Sequence, residues 1–125
     1  KPGDHGSTFG GNPLASAVAE AALDVVVSED LPVRARSAGA KIVPTLRELA
    51  SPLITEVRGR GLLIGIELTV PAKRLSDALL ERGVAARETR EHVLRIAPPL
   101  VIDDDAIAYF LERFADALAA VDSRP

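Results

Sequence analysis

Two places in this 125-residue chain combine residue types that could do chemistry. The first is His5-Gly6-Ser7-Thr8-Phe9-Gly10-Gly11-Asn12-Pro13, which sets two hydroxyls among glycines and then opens an alanine-rich apolar segment. Glycines let a backbone approach a ligand and adopt dihedrals closed to other residues. Ser7 and Thr8 add short hydroxyl donors suited to an anion. Asn12 is a good N-cap, and Pro13 fits the first helical position. The segment reads as a loop for something small and negative, such as a phosphate; the same residue types also serve a plain turn and cap. The second place is Arg95, a lone arginine in Val93-Leu94-Arg95-Ile96-Ala97-Pro98-Pro99-Leu100. Burying its charge is expensive without an acid beside it. Its head is therefore either in water or paired with a local Asp, or it grips a carboxylate through two parallel hydrogen bonds.

The other polar candidates are weaker. His5, among glycines, reads as a loop hydrogen-bonder, and His92 has no ligand partner nearby in sequence. Asp103-Asp104-Asp105 reads as a helix start, where negative charge suits the dipole. No spaced His/Cys/Asp/Glu set points to a metal. Arg58-Gly59-Arg60-Gly61 reads as a turn or bulge, and its arginines are not assigned to a site.

The elements that must position these residues follow from periodicity. A helix is predicted from Pro13 to about Val27, with Leu14, Val18, Ala21/Ala22 and Val25 at helical spacing. A second is predicted over 31–50 on the stripe Ala35, Ala38, Ile42, Leu46 and Leu49. Pro44 interrupts it, and a mid-helix proline costs about 3 kcal/mol, so a kink near Val43 or two shorter helices is expected. A short strand over 53–58 leads into the Arg58–Gly61 turn. From there Leu62, Ile64, Ile66 and Leu68 alternate with Leu63, Gly65 and Glu67 along a strand. A helix over 72–82 buries Leu75, Ala78 and Leu79 and stops at Gly83. Strands follow at 84–87 and 92–96, the latter ended by Pro98-Pro99. A last helix, capped by Asp103 and Asp104, carries the stripe Ile107, Phe110, Leu111, Phe114, Leu118 and Val121. The fold class is α+β: two N-terminal helices, then a small, mostly antiparallel sheet with helices on one face. The organisation is 1–50, carrying the anion loop and helices that pack against a larger body, and 51–125, a small α+β domain.

Composition narrows the function classes. At 47% hydrophobic the chain should be globular rather than disordered. A net charge of −3 with scattered basic residues argues against nucleic acid or anionic membrane as partner. No apolar run is long enough to span a bilayer. The absence of cysteine removes disulfides, thiol catalysis and thiolate metal sites, and a cytoplasmic setting is the default. The chain has no methionine and opens at Lys1 in what reads as mid-loop, so a fragment or processed product is expected. Residues 122–125 read as a frayed tail.

The strings KPGDHGSTFGGNPL, RGRGLL and LRIAPPL together resemble the subgroup III (ω-) aminotransferases, which use pyridoxal 5'-phosphate (PLP), and the resemblance runs from Lys1 to about Val121. It implies the small C-terminal domain of a fold-type I PLP enzyme. It implies that Thr8, with Ser7 beside it, holds the phosphate of the cofactor carried by the neighbouring subunit of a homodimer. It implies that Arg95 binds the carboxylate of glutamate or 2-oxoglutarate. The strings, with Gly83-Val84-Ala85-Ala86-Arg87-Glu88-Thr89, look most like the ornithine-using branch; the acetylornithine-using branch shares the first and last of them. The family forms a Schiff base between PLP and a lysine of a large domain that precedes this segment. Lys1, Lys41 and Lys73 match no such position, so the reactive lysine is expected on another domain or chain, with none of the catalytic residues here. A non-catalytic remnant serving dimerisation or docking is the competing expectation.

Overall fold

A computed structural model of the chain describes residues 6, 7 and 10–123. Lys1–His5, Thr8, Phe9, Arg124 and Pro125 lie outside the described residues, and with them the expected roles of Thr8 and His5 and the end of the expected tail. The chain divides into two compact units, Lys1–Leu31 and Pro32–Pro125.

The first unit holds α1 (Pro13–Ser28). Asn12 caps it as expected: its side chain accepts from the Ala15 amide at 2.9 Å, and Pro13 takes the first turn. None of its residues is buried; Leu14, Val18, Leu23, Val25 and Val27 are all exposed.

The second unit holds α2 (Leu31–Glu48), β1 (Ile54–Arg60), β2 (Leu63–Leu68), α3 (Ala72–Leu80), β3 (Arg87–Arg90), β4 (Val93–Ile96) and α4 (Asp104–Asp122). The strands form one sheet in the order β1-β2-β4-β3, every pair antiparallel. Val57, Ile64, Ile66, Leu68, Leu94 and Ile96 point to one face and are buried. They join Ala35, Ala38, Ile42 and Leu46 of α2, Leu75 and Leu79 of α3, and Phe110, Phe114 and Leu118 of α4 in a single core. The α+β expectation holds, with helices on one face. The sequence reading grouped α2 with the leading segment, whereas its apolar stripe belongs to the core under the sheet. Among the described residues no polar or charged residue is buried, and no helix is long and apolar enough to cross a membrane.

Two local expectations are corrected and one is narrowed. Of the kink or two shorter helices expected at Pro44, the second is not found: α2 is one helix from Leu31 to Glu48. Pro44 is exposed and Ile42 and Leu46 are fully buried, so the carbonyl freed by the missing N–H, that of exposed Ala40, faces water. Arg58-Gly59-Arg60 is strand, not turn: Arg58 pairs with Gly65, Gly59 with Ile64 and Arg60 with Leu63. Only Gly61-Leu62 remains as the loop, with Gly61 at φ +57°, where a two-residue hairpin wants glycine. The third strand starts at Arg87 instead of Val84. The amides of Gly83 and Val84 close the end of α3 on the carbonyls of Leu80 and Leu79, so the Val84 amide is not free for a ladder.

One contact had no sequence signal in the helix pattern. Gly39 of α2 lies against the hairpin loop so closely that a Cβ there would stand 2.1 Å from the Gly61 carbonyl oxygen. Arg47 fixes the other end of α2 by donating from Nε and Nη2 to the Val57 carbonyl of β1 at 3.0 and 2.8 Å.

Candidate functional site

The face of the sheet turned away from the helices carries Arg95. Leu94 and Ile96 of β4 point into the core, and the period of two puts Arg95 on the other side, exposed. β4 is an inner strand, between β2 and β3, so the arginine is not at a strand edge. Its charge is solvated, and the cost of burying it never arises. No described carboxylate lies within ion-pair distance of it, which excludes the pairing with a local Asp among those residues.

The register gives Arg95 its neighbours. Arg58 of β1 opposes Gly65 of β2, Gly65 opposes Arg95, and Arg95 opposes Arg87 of β3. A single row thus crosses all four strands. Gly65 presents no side chain, and beside it lies a shallow cavity of about 350 Å³ lined by Arg58, Leu63, Gly65, Thr89, Val93 and Arg95. Arg58 forms its charged wall. Its Nη1 donates to Glu56 at 2.6 Å and to Glu67 at 2.8 Å. The bonds to Glu67 and then Glu56 raise its pKa, so this guanidinium stays charged, with its charge balanced by the two carboxylates. Arg58 was missed because, although it ended the predicted strand, its string was read as a structural turn or bulge and its arginines were assigned to no site. Placing the hairpin loop at Gly61-Leu62 would have put it in line with Gly65 and Arg95.

In the first unit, the described part of the glycine loop is a tight turn. The Ser7 hydroxyl accepts from the Gly10 amide at 2.8 Å. A Cβ at Gly10 would come within 2.9 Å of the Ser7 Cβ, and Gly11 sits at φ +75°. Ser7 therefore shapes the loop as acceptor while its own O–H stays available to a ligand. An exposed hydroxyl in a glycine turn can donate to a small anion, and Thr8 lies outside the described residues.

The remaining candidates resolve as structure. Asp103 caps α4 by accepting from the Ala106 amide at 2.8 Å. Asp104, in the first turn, pairs with Lys41 at 2.5 Å. No group of His, Asp and Glu among the described residues is placed to hold a metal ion.

Fold and sequence together define the class: the chain belongs to the class-III aminotransferases, whose family profile, "Aminotransferase class-III", matches residues 1–118. Within that class it is 49% identical over 119 residues to an ornithine aminotransferase of Bacillus cereus (strain Q1), a match covering 95% of this chain and 30% of that protein. It is 51% identical over 118 residues to that of an Exiguobacterium species, covering 94% of this chain and 30% of the relative. Among solved structures, ornithine aminotransferase from Toxoplasma gondii, described with partial occupancy of PLP at its active site, superposes with TM-score 0.86 at 42% identity, covering 97% of this chain and 30% of that one. Acetylornithine aminotransferase from Elizabethkingia anophelis gives TM-score 0.87 at 42% identity over 96% of this chain and 33% of that one. The chain spans about 30% of the length of the curated relatives it matches.

Proposed function

We propose that this chain is the C-terminal part of a PLP-dependent ornithine aminotransferase. The complete enzyme moves the δ-amino group of ornithine to 2-oxoglutarate, giving glutamate 5-semialdehyde and glutamate. The observation that carries the reading is the identity of about half of all aligned positions to ornithine aminotransferases across nearly the whole chain. The unpaired Arg95 on the bare sheet face supports it. When bound, PLP supplies the electron sink that amine transfer requires. This chain's share is to hold and to orient. Ser7 and Thr8 donate to the cofactor phosphate across a homodimer, and Arg95 fixes a carboxylate of the oxo acid through its forked N–H groups.

The two described lysines support a reactive amine located on another domain or chain. A lysine that attacks a carbonyl needs its amine unprotonated, hence a lowered pKa. Lys73 is exposed and bonded to Asp77 at 2.8 Å, which raises its pKa. Lys41 is exposed and paired with Asp104. We therefore expect the isolated chain to be inactive, and activity to need a lysine-bearing domain.

The test is reconstitution with such a domain, followed by PLP absorbance and single-turnover kinetics of each half-reaction. Arg95→Ala should weaken use of 2-oxoglutarate by about 2–5 kcal/mol in kcat/KM and the ornithine half-reaction far less. Equal loss in both halves would refute the role of Arg95. The equal likeness to the Elizabethkingia acetylornithine enzyme makes that amino donor the alternative; competing ornithine with acetylornithine decides between them.

A further inference from the structure

We propose that Arg87 is a second specificity determinant: with Arg95 it forms a two-guanidinium clamp that holds one carboxylate of the acid substrate. The inference rests on the reading of Arg95 as a carboxylate binder and goes beyond it.

The register provides the geometry. Arg87 and Arg95 are direct partners on adjacent antiparallel strands, and such partners project to the same face with Cβ atoms about 5 Å apart. Like charges in that position repel and cost stability. Neither arginine has an ion pair or hydrogen bond with a described side chain. Of the other cations in this unit, Arg58, Lys41, Lys73 and Arg113 each lie within reach of a carboxylate, whereas Arg36, Arg60 and Arg90 have none among the described residues, so it is the direct opposition of Arg87 and Arg95 that sets this pair apart. Acids are not scarce, since the chain has 18 against 15 lysines and arginines. The acid next to Arg87, Glu88, faces the helix side, close enough to Lys73 of α3 to favour its charged form. An unbalanced pair of positive heads is thus left in a row whose third arginine, Arg58, is already balanced by two carboxylates.

That imbalance suits a ligand carboxylate. A carboxylate offers about four lone-pair sites, so two forks can share it. Gly65, on the other side of Arg95, leaves room for the rest of the molecule: the nearest atom to a Cβ there would be 3.8 Å away, and the neighbouring cavity is open. The substrate class is an acid whose carboxylate enters the Arg87–Arg95 gap while its body lies along Gly65.

The experiment follows the arginine Nε–H signals of the 125-residue chain by NMR during titration with glutarate, an unreactive dicarboxylate, against sodium chloride of equal ionic strength. Glutarate should move the Arg95 and Arg87 signals together with one dissociation constant. Arg87→Gln should weaken binding at Arg95 about fivefold, and Arg87→Lys should retain most of it. Gly65→Val should abolish binding while the backbone amide spectrum of α4 stays native. If glutarate binds at Arg95 with an affinity that Arg87→Gln leaves unchanged, the clamp is wrong and the Arg95 reading survives. If glutarate acts no differently from chloride in the parent chain, both fall.

Discussion

At the scale of single residues, three glycines in the second unit have three different reasons to be glycine. Gly39 needs the absence of a Cβ, because that atom would overlap the Gly61 carbonyl oxygen at 2.1 Å. Gly61 needs its backbone freedom, at φ +57°. Gly65 needs neither for folding, since a Cβ there meets nothing closer than 3.8 Å. Helix propensity alone would make Gly39→Ala stabilising by about 1 kcal/mol. The contact reverses the sign: urea unfolding should show a loss of about 3 kcal/mol, as for overpacking against rigid backbone. Gly65→Ala should stay within about 0.5 kcal/mol of the parent. A Gly39→Ala chain as stable as the parent would mean that α2 does not rest on the hairpin. Side-chain chemistry was legible at Arg95, because a charge in an apolar run stands out. Arg87 and Arg58 were not, because their meaning lies in which residues they oppose, and register is a tertiary fact.

At the scale of elements, periodicity located α4, β2 and α3, where burial and sequence pattern agree. It failed where a local rule met a tertiary override. The proline rule forecast a kink or two shorter helices, but α2 stays one helix, with Pro44 on its wet side and Ile42 and Leu46 anchoring the other. That view has a measurable consequence. Pro44→Ala restores one backbone hydrogen bond without touching the core, and should raise stability by about 2 kcal/mol in urea unfolding. No gain would show that the proline is already accommodated at no cost. Glycines misled in the other direction: Gly59 and Gly61 together suggested a four-residue turn, while the ladder from Arg58 to Arg60 shortens it to two residues. The start of β3 was misplaced for a similar reason, because the helix end keeps the Val84 amide.

At the scale of the whole molecule, the two units differ in what holds them. The second encloses an apolar core drawn from three helices and three strands, β1, β2 and β4, with Phe110 and Phe114 at 5.7 Å between ring centres. The first has a helix of 16 residues with none buried. Most helical stability in proteins comes from packing an apolar face rather than from propensity, and α1 buries none of its residues. Amide hydrogen exchange of the isolated chain should therefore find α1 protected little more than a peptide, while β2, β4 and α4 exchange only by global unfolding. Strong protection in α1 would mean that the chain stabilises it unaided. The family was legible in the sequence because its hallmark strings mark demanding places: the glycine turn at Gly10-Gly11, the hairpin at Gly61 and the strand of Arg95. The division at residue 31 was not, because the apolar stripe of α2 does not say which body it faces.

Strand β3 closes one side of the sheet with Arg87-Glu88-Thr89-Arg90, every one of them exposed. Its outer row of amides and carbonyls would be a template for another chain if it were long and greasy, but it is four residues long and three of them are charged. The strand that supplies one jaw of the proposed clamp is therefore also a guard against fibre-like stacking between molecules, so an apolar substitution at position 87 should cost solubility as well as ligand.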